Sequence, residues 1–193
     1  MAKIGLNNFR YSILTEGADG TPSYNGAKTP AKAISCSVNI SNNDAALYAD
    51  DALVESDTSF QKGTVTIGVD NEDTITMATL LGHTVTEATD GKPAIMVRNA
   101  NDIAPYVGLG RIITKMVNNQ YQYKVEFIYK VKFSEPSQED NTKGESVEFK
   151  TSTIEGTIAK LGNGNWSTTA TFDTKAKAIT YLESLMASST PSL

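Results

Sequence analysis

Between Tyr121 and Phe133 every odd position is apolar or aromatic: Tyr121, Tyr123, Val125, Phe127, Tyr129, Val131 and Phe133. Gln122, Lys124, Glu126, Lys130 and Lys132 fill the even positions, and Ile128 alone departs from the pattern. Side chains of a strand point alternately to its two faces, so a period of two sustained over this length specifies a half-buried β-strand. At about 3.3 Å per residue the run spans on the order of 40 Å, well beyond the usual five or six residues. Asn118-Asn119 precedes it, and asparagine tolerates the positive φ that a type I′ turn needs at both central positions. Tyr106 to Val117 is then its hairpin partner. With Val117 facing Gln120, the expected pairs are Met116/Tyr121, Thr114/Tyr123, Ile112/Val125, Gly110/Phe127, Gly108/Tyr129 and Tyr106/Val131. Each glycine lies under a ring that covers it, and Arg111 meets Glu126 on the opposite face. A slip by one residue would wreck both faces, so turn and alternation support each other.

Further strands follow the same logic. Phe9, Tyr11 and Ile13 alternate near the N-terminus; Asp19-Gly20 and Asn25-Gly26 mark turns; Ile34, Cys36, Val38 and Ile40 alternate with Ser35, Ser37 and Asn39. Val65, Ile67 and Val69 form another strand, Val147 to Ile158 reads as a pair of strand segments, and Gly162 to Asn165 turns into a strand over Ser167 to Phe172. Two helices interrupt this pattern. Asp73 caps a short one through Leu81, with Gly82 at its C-terminal end, and Asp173 caps a longer one over Thr174 to Ala187. In the longer helix Ile179, Leu182 and Met186 make an apolar stripe that docks on a sheet. Residues 41–60 read as a long loop too apolar for disorder, with Leu47, Tyr48, Leu53, Val54 and Phe60, and residues 134–146 as a polar, charged one. The expectation is mainly β: one domain over 1–193, an antiparallel β-sandwich or partial barrel with a long hairpin, one flanking α-helix and a short tail at 188–193.

Chemistry is scarce. One cysteine, Cys36, excludes an intrachain disulfide framework and any multi-cysteine zinc site, and one histidine, His83, removes most acid–base and metal chemistry. His83 follows the helix-ending Gly82 and reads as a terminal histidine; Cys36 reads as a small core residue, and Trp166 as core. Gly108-Leu-Gly110 begins like a dinucleotide fingerprint, but Ile113 stands where the third glycine belongs and a strand continues in place of a helix. Asp70 to Asp73 lacks the glycine and terminal glutamate of a calcium loop. No enzyme, cofactor or metal is expected. Charge points the same way, with 17 Lys and Arg against 22 Asp and Glu, a net −5. Between Lys32 and Lys62 there is no basic residue, while Asp44, Asp50, Asp51, Glu55 and Asp57 fall there, so no basic stripe exists for gripping nucleic acid. No apolar run approaches the roughly 18 residues of a membrane span, and no apolar region follows Lys3 as in a secretory signal, so assembly in the cytoplasm is expected.

The segments AKIGLNNFRY (2–11), KAISCSVNI (32–40) leading into YADD (48–51), NDIAPYVGLGR (101–111) with KVEF (124–127), and STIEGT (152–157) strongly resemble major tail proteins of long-tailed, non-contractile phages infecting Gram-positive bacteria. The likeness covers nearly the whole chain and rests on no catalytic signature. It implies hexameric rings that stack into a tail tube in the virion, each subunit lending strands to a β-barrel around a lumen through which genome DNA and the tape measure protein pass without specific binding. By the same resemblance, Tyr106, Gly108, Gly110, Ile112, Tyr123, Val125, Phe127 and Tyr129 supply the tube hairpin. The 41–60 loop, with Tyr48, Asp50, Asp51, Leu53, Val54 and Glu55, makes the ring-stacking contact, and the two terminal segments make others. The C-terminal immunoglobulin-like domain of some relatives is not expected. A receptor- or carbohydrate-binding tail module would want exposed aromatics, whereas most tyrosines here fall on the buried face; the tube of a tailocin or other injection machine has the same physics.

Overall fold

Asn118 and Asn119 take φ of 49° and 61°, so the turn between the two hairpin segments is the left-handed one that their side chains tolerate. The computed structural model describes residues 2–29, 33–49, 52–70, 73–89, 91–137 and 152–187. Around this turn β9 (Tyr106–Val117) pairs antiparallel with β10 (Gln120–Phe133), and Met116/Tyr121, Thr114/Tyr123, Ile112/Val125, Glu126/Arg111 and Gly110/Phe127 face each other as expected. Beyond Ile128 the register shifts: Val131 faces Val107 and Lys132 faces Tyr106, so the expected Gly108/Tyr129 and Tyr106/Val131 pairs do not form. The cause is a bulge, which places two residues of β10 opposite one of β9 and so reverses which face the following side chains occupy. Val125 and Phe127 pack on one side of the sheet, while Ile128, Val131 and Phe133 pack on the other. Ile128, the lone exception to the alternation, marks the place where the strand changes its buried face.

The main sheet runs β2 (Pro22–Tyr24), β1 (Ala2–Glu16), β9, β10, β11 (Ser152–Ala159), β6 (Phe60–Val69), β3 (Ala33–Asn42), with β12 (Ser167–Phe172) also on β10. Every pairing is antiparallel. β10 forks: its first half carries β12 through Tyr123 to Ile128, and its last residues carry β11 through Lys130 to Phe133. Past the fork the sheet rolls over, and the Arg111 guanidinium reaches from β9 to donate to the Cys36 carbonyl on β3 at 2.8 Å. At the other margin the chain after β2 bridges back to β1, where Tyr11 and Lys28 exchange backbone hydrogen bonds of 2.9 and 2.8 Å. The result is a partial barrel.

Two cores fill it, one per face. Inside the roll lie Phe9, Tyr11, Val65, Ile67, Val107, Leu109, Ile128, Val131, Ile154 and Ile158. The short helix α1 (Thr74–Leu81) adds Met77, Leu80 and Leu81 to them. Its ends form as expected: Asp73 accepts from the Thr76 amide at 2.9 Å, and Gly82 takes φ 79°. Outside the roll, the flanking helix α2 (Lys175–Leu185) lays Ala178, Leu182 and the following Met186 on Ile112, Val125 and Phe127. The expected cap moves by one residue. Thr174 caps α2, and Asp173 forms an ion pair with Lys177 four residues on.

Residues 41–60 are not the long loop expected. They hold β4 (Ala45–Ala49) and β5 (Ala52–Asp57), an antiparallel two-stranded sheet of its own between β3 and β6. Its base is pinned by Asn43, whose amide and side chain donate to the Ser59 carbonyl and hydroxyl, each at 2.8 Å. A second small sheet joins β7 (Thr84–Thr86) to β8 (Ile95–Val97). The expected strand at Val147 and the tail at 188–193 lie outside the described residues.

Candidate functional site

The residues assigned to the tube hairpin are brought together, but mostly as core. Ile112, Val125 and Phe127 are fully buried beneath α2, and Tyr123 and Tyr129 pack at the margin of that cluster. Tyr24 meets Phe127 edge-on, with centroids 5.2 Å apart, and donates its hydroxyl to the Tyr129 carbonyl at 2.9 Å. The two glycines serve close approach in different ways. A Cβ on Gly108 would press on Tyr24 and Phe127, so rings do cover that glycine. A Cβ on Gly110 would collide with Leu182 and come within 2.9 Å of Met186, so its cover is the helix and not the Phe127 ring expected from sequence. Tyr106 stands 39% exposed at the start of β9, with the Lys130 and Lys132 ammonium groups 4.7 and 5.3 Å from its ring centre.

Several charged residues of the hairpin are engaged within the subunit. Arg111 donates through Nε to Glu126 at 2.7 Å, and Lys124 lies 3.6 Å from the same carboxylate. Burial raises the Glu126 carboxyl, but Arg111 and Lys124 together outweigh it and hold the group below the ordinary glutamate range. Lys130 pairs with Glu16 across the sheet, and that bond, with a further one from the Gly162 amide, lowers the Glu16 carboxyl. Of the β10 lysines, Lys124 and Lys130 thus face carboxylates, and Lys132 lies over the Tyr106 ring.

What the hairpin positions is a set of strand margins. β3 pairs only with β6, β12 only with β10, and the outer side of β1 before Arg10 has no strand partner among the described residues. β3 is ten residues long and carries no charge and no proline, and Ile34 and Ile40 on it are 56% and 38% exposed. Period-two alternation puts Ile34 on the same face as Cys36 and Val38, but a bulge between Ala33 and Ser35 turns it out, leaving Cys36 and Val38 on the core. Burial raises the Cys36 thiol, as befits a packing residue. β12, Ser167 to Phe172, is likewise uncharged. Natural sheets blunt their edges with lysine, proline or very short strands, and β3 uses none of these.

The ring-stacking candidates fall on the separate β4–β5 arm. Tyr48 pairs through its backbone with Leu53, and Leu47 with Glu55; Val54 lies between them in β5, while Asp50 and Asp51 are outside the described residues. Sequence reasoning missed the strand margins, because pairing partners far apart in the chain leave no local signal. It also missed a cluster around His83, whose ring nitrogens face Asp102 and Glu135. Trp166, expected in the core, packs on it and stacks on Phe60 at 4.8 Å, so it forms no exposed platform. Among the described residues no group of three or more histidine, cysteine or acidic side chains is placed to hold a metal ion, and no helix is long and apolar enough to cross a membrane. No protein-family model matches the chain, and no curated protein matches it.

Proposed function

We propose that this chain is a structural subunit of a phage tail tube, assembling in the host cytoplasm with copies of itself into hexameric rings that stack around a lumen for DNA and the tape measure protein. The observation that carries the reading is the β3 margin: an uncharged ten-residue strand, paired on one side with β6 and without a strand partner on the other among the described residues, with exposed isoleucines at the end of a rolled but unclosed sheet. Such an edge recruits another strand, and pairing with an identical neighbour satisfies its amides and carbonyls without a dedicated cap. The sequence likeness to major tail proteins supports the same assignment, as does the long hairpin, whose length exceeds what one small sandwich uses. A binding module is disfavoured by the placement of most described aromatics, which pack in or against the two cores, with Tyr106 and Tyr121 the exposed exceptions. Where the β3 margin meets a different margin of its neighbour, the contact is heterologous and builds rings or open stacks rather than closed dimers. Negative-stain microscopy of the purified protein tests the proposal. Hollow tubes or six-membered rings are expected, and monodisperse monomers at every concentration and salt would overturn it.

A further inference from the structure

His83 lies just beyond α1 with its side chain only 6% exposed, and both ring nitrogens are aimed at carboxylates. Nδ1 lies 2.7 Å from Asp102, in the segment leading to β9, and Nε2 hydrogen-bonds Glu135, two residues past the end of β10. A neutral imidazole has one N–H and one lone pair, so it donates to one carboxylate and turns a lone pair on the other. Only the imidazolium donates to both. The three residues are 19 and 52 positions apart along the chain, so the doubly donating ring ties together the C-terminal end of α1, the approach to β9 and the exit from β10.

The two carboxylates are not equally held. Asp102 is 17% exposed and also accepts from the Asn99 amide at 2.9 Å, an anchor that persists whatever the ring does. Glu135 is 50% exposed, and its other partner, Arg98, is half-exposed itself and 3.7 Å away. Among the described residues Asp102, Glu135 and, behind Glu135, Arg98 are the charged groups around the ring, and α1 carries no charged side chain. The two acids lie on opposite nitrogens and cannot converge on one ion. The arrangement is no catalytic dyad either, since Nε2 faces a carboxylate where a base would need a hydroxyl or thiol to deprotonate.

We propose that His83, Asp102 and Glu135 form a pH-sensitive latch, closed while the imidazole carries two protons and opened on the Glu135 side when it loses one. The hydrogen bond to Asp102, then that to Glu135, raises the histidine above its ordinary range against the opposing effect of burial. A group raised on folding contributes stability that is fully present below its unfolded value, near 6.5, and is lost as pH rises through the folded one. Alkaline conditions therefore free Glu135 from the ring, while Ser134 before it stays bonded to the Glu155 carbonyl. This holds whether or not the protein forms tubes.

The chain has one histidine, so labelling histidine with 13C and 15N gives an unambiguous NMR titration of this ring in the full-length protein. The expected midpoint lies above that of a peptide histidine, with both nitrogens protonated below it. Hydrogen exchange of a peptide covering residues 129–137, corrected for the intrinsic pH dependence of exchange, should show protection falling roughly threefold to tenfold across the same midpoint. Glu135→Gln should remove that step, because an amide rotates to accept from the imidazolium or donate to the neutral ring. Asp102→Asn should lower the midpoint, since it removes the anchored charge. A wild-type midpoint at or below the peptide value, or protection that does not change across the titration, would overturn the latch, and both readings need only the wild-type protein.

Discussion

Gly110 has no side chain where α2 needs room. The helix sits on β9 through Leu182 and Met186, and even a methyl group at Gly110 intrudes on both. Overpacking of this kind costs about 1–3 kcal/mol. We therefore expect Gly110→Ala to destabilise the subunit by that amount, and Gly110→Asp to cost more because it also buries a carboxylate. Leu182→Ala alone should cost about 2–5 kcal/mol, since that side chain is 1% exposed and leaves a cavity behind. The double variant should be less destabilised than the sum of the two, by about 0.5–3 kcal/mol, because the new methyl occupies part of the vacated space. Urea denaturation of the four proteins checks this, and strict additivity would show that the helix does not rest on Gly110. Position 110 was legible in sequence as a covered glycine, but alternation names a face and not the element that lies on it.

At the scale of elements, local chemistry was readable and long-range pairing was not. Two asparagines fixed the turn, and the turn fixed the register as far as Phe127. The bulge after Ile128 was hidden because period-two hydrophobicity continues through it, first for one buried face and then for the other. Asp73 and Gly82 announced α1 because caps are short-range, while at α2 the adjacent Asp173 and Thr174 both qualify and only the fold chooses between them. Residues 41–60 were misread because they mix small, acidic and apolar residues without alternation, although the backbone pairs Ala45 with Asp57 and Ala49 with Ala52. This arm is an outgrowth of the β3–β6 pair with its own closed base at Asn43 and Ser59. Replacing residues 45–57 with a short Gly-containing turn should therefore leave the subunit folded, with a melting temperature within a few degrees of wild type. If the arm makes the stacking contact, the variant forms rings but no tubes under negative stain. Tubes of normal length would assign stacking to another surface.

For the whole molecule the decisive property is a sheet that rolls without closing. α1 and α2 each pack on one of its two cores, and the margins of β3 and β12 carry no charge to repel a neighbour. The net charge is −5, and the β10 lysines face Glu126, Glu16 and the Tyr106 ring. In the proposed reading, assembly follows from backbone hydrogen bonding between copies. Cryo-electron microscopy of the assembled protein measures this directly. The account predicts continuous backbone hydrogen bonds from the margins of β3, β12 or the outer side of β1 into a neighbouring subunit, while particles that remain single subunits, or contacts confined to side chains with every margin left bare, would contradict it.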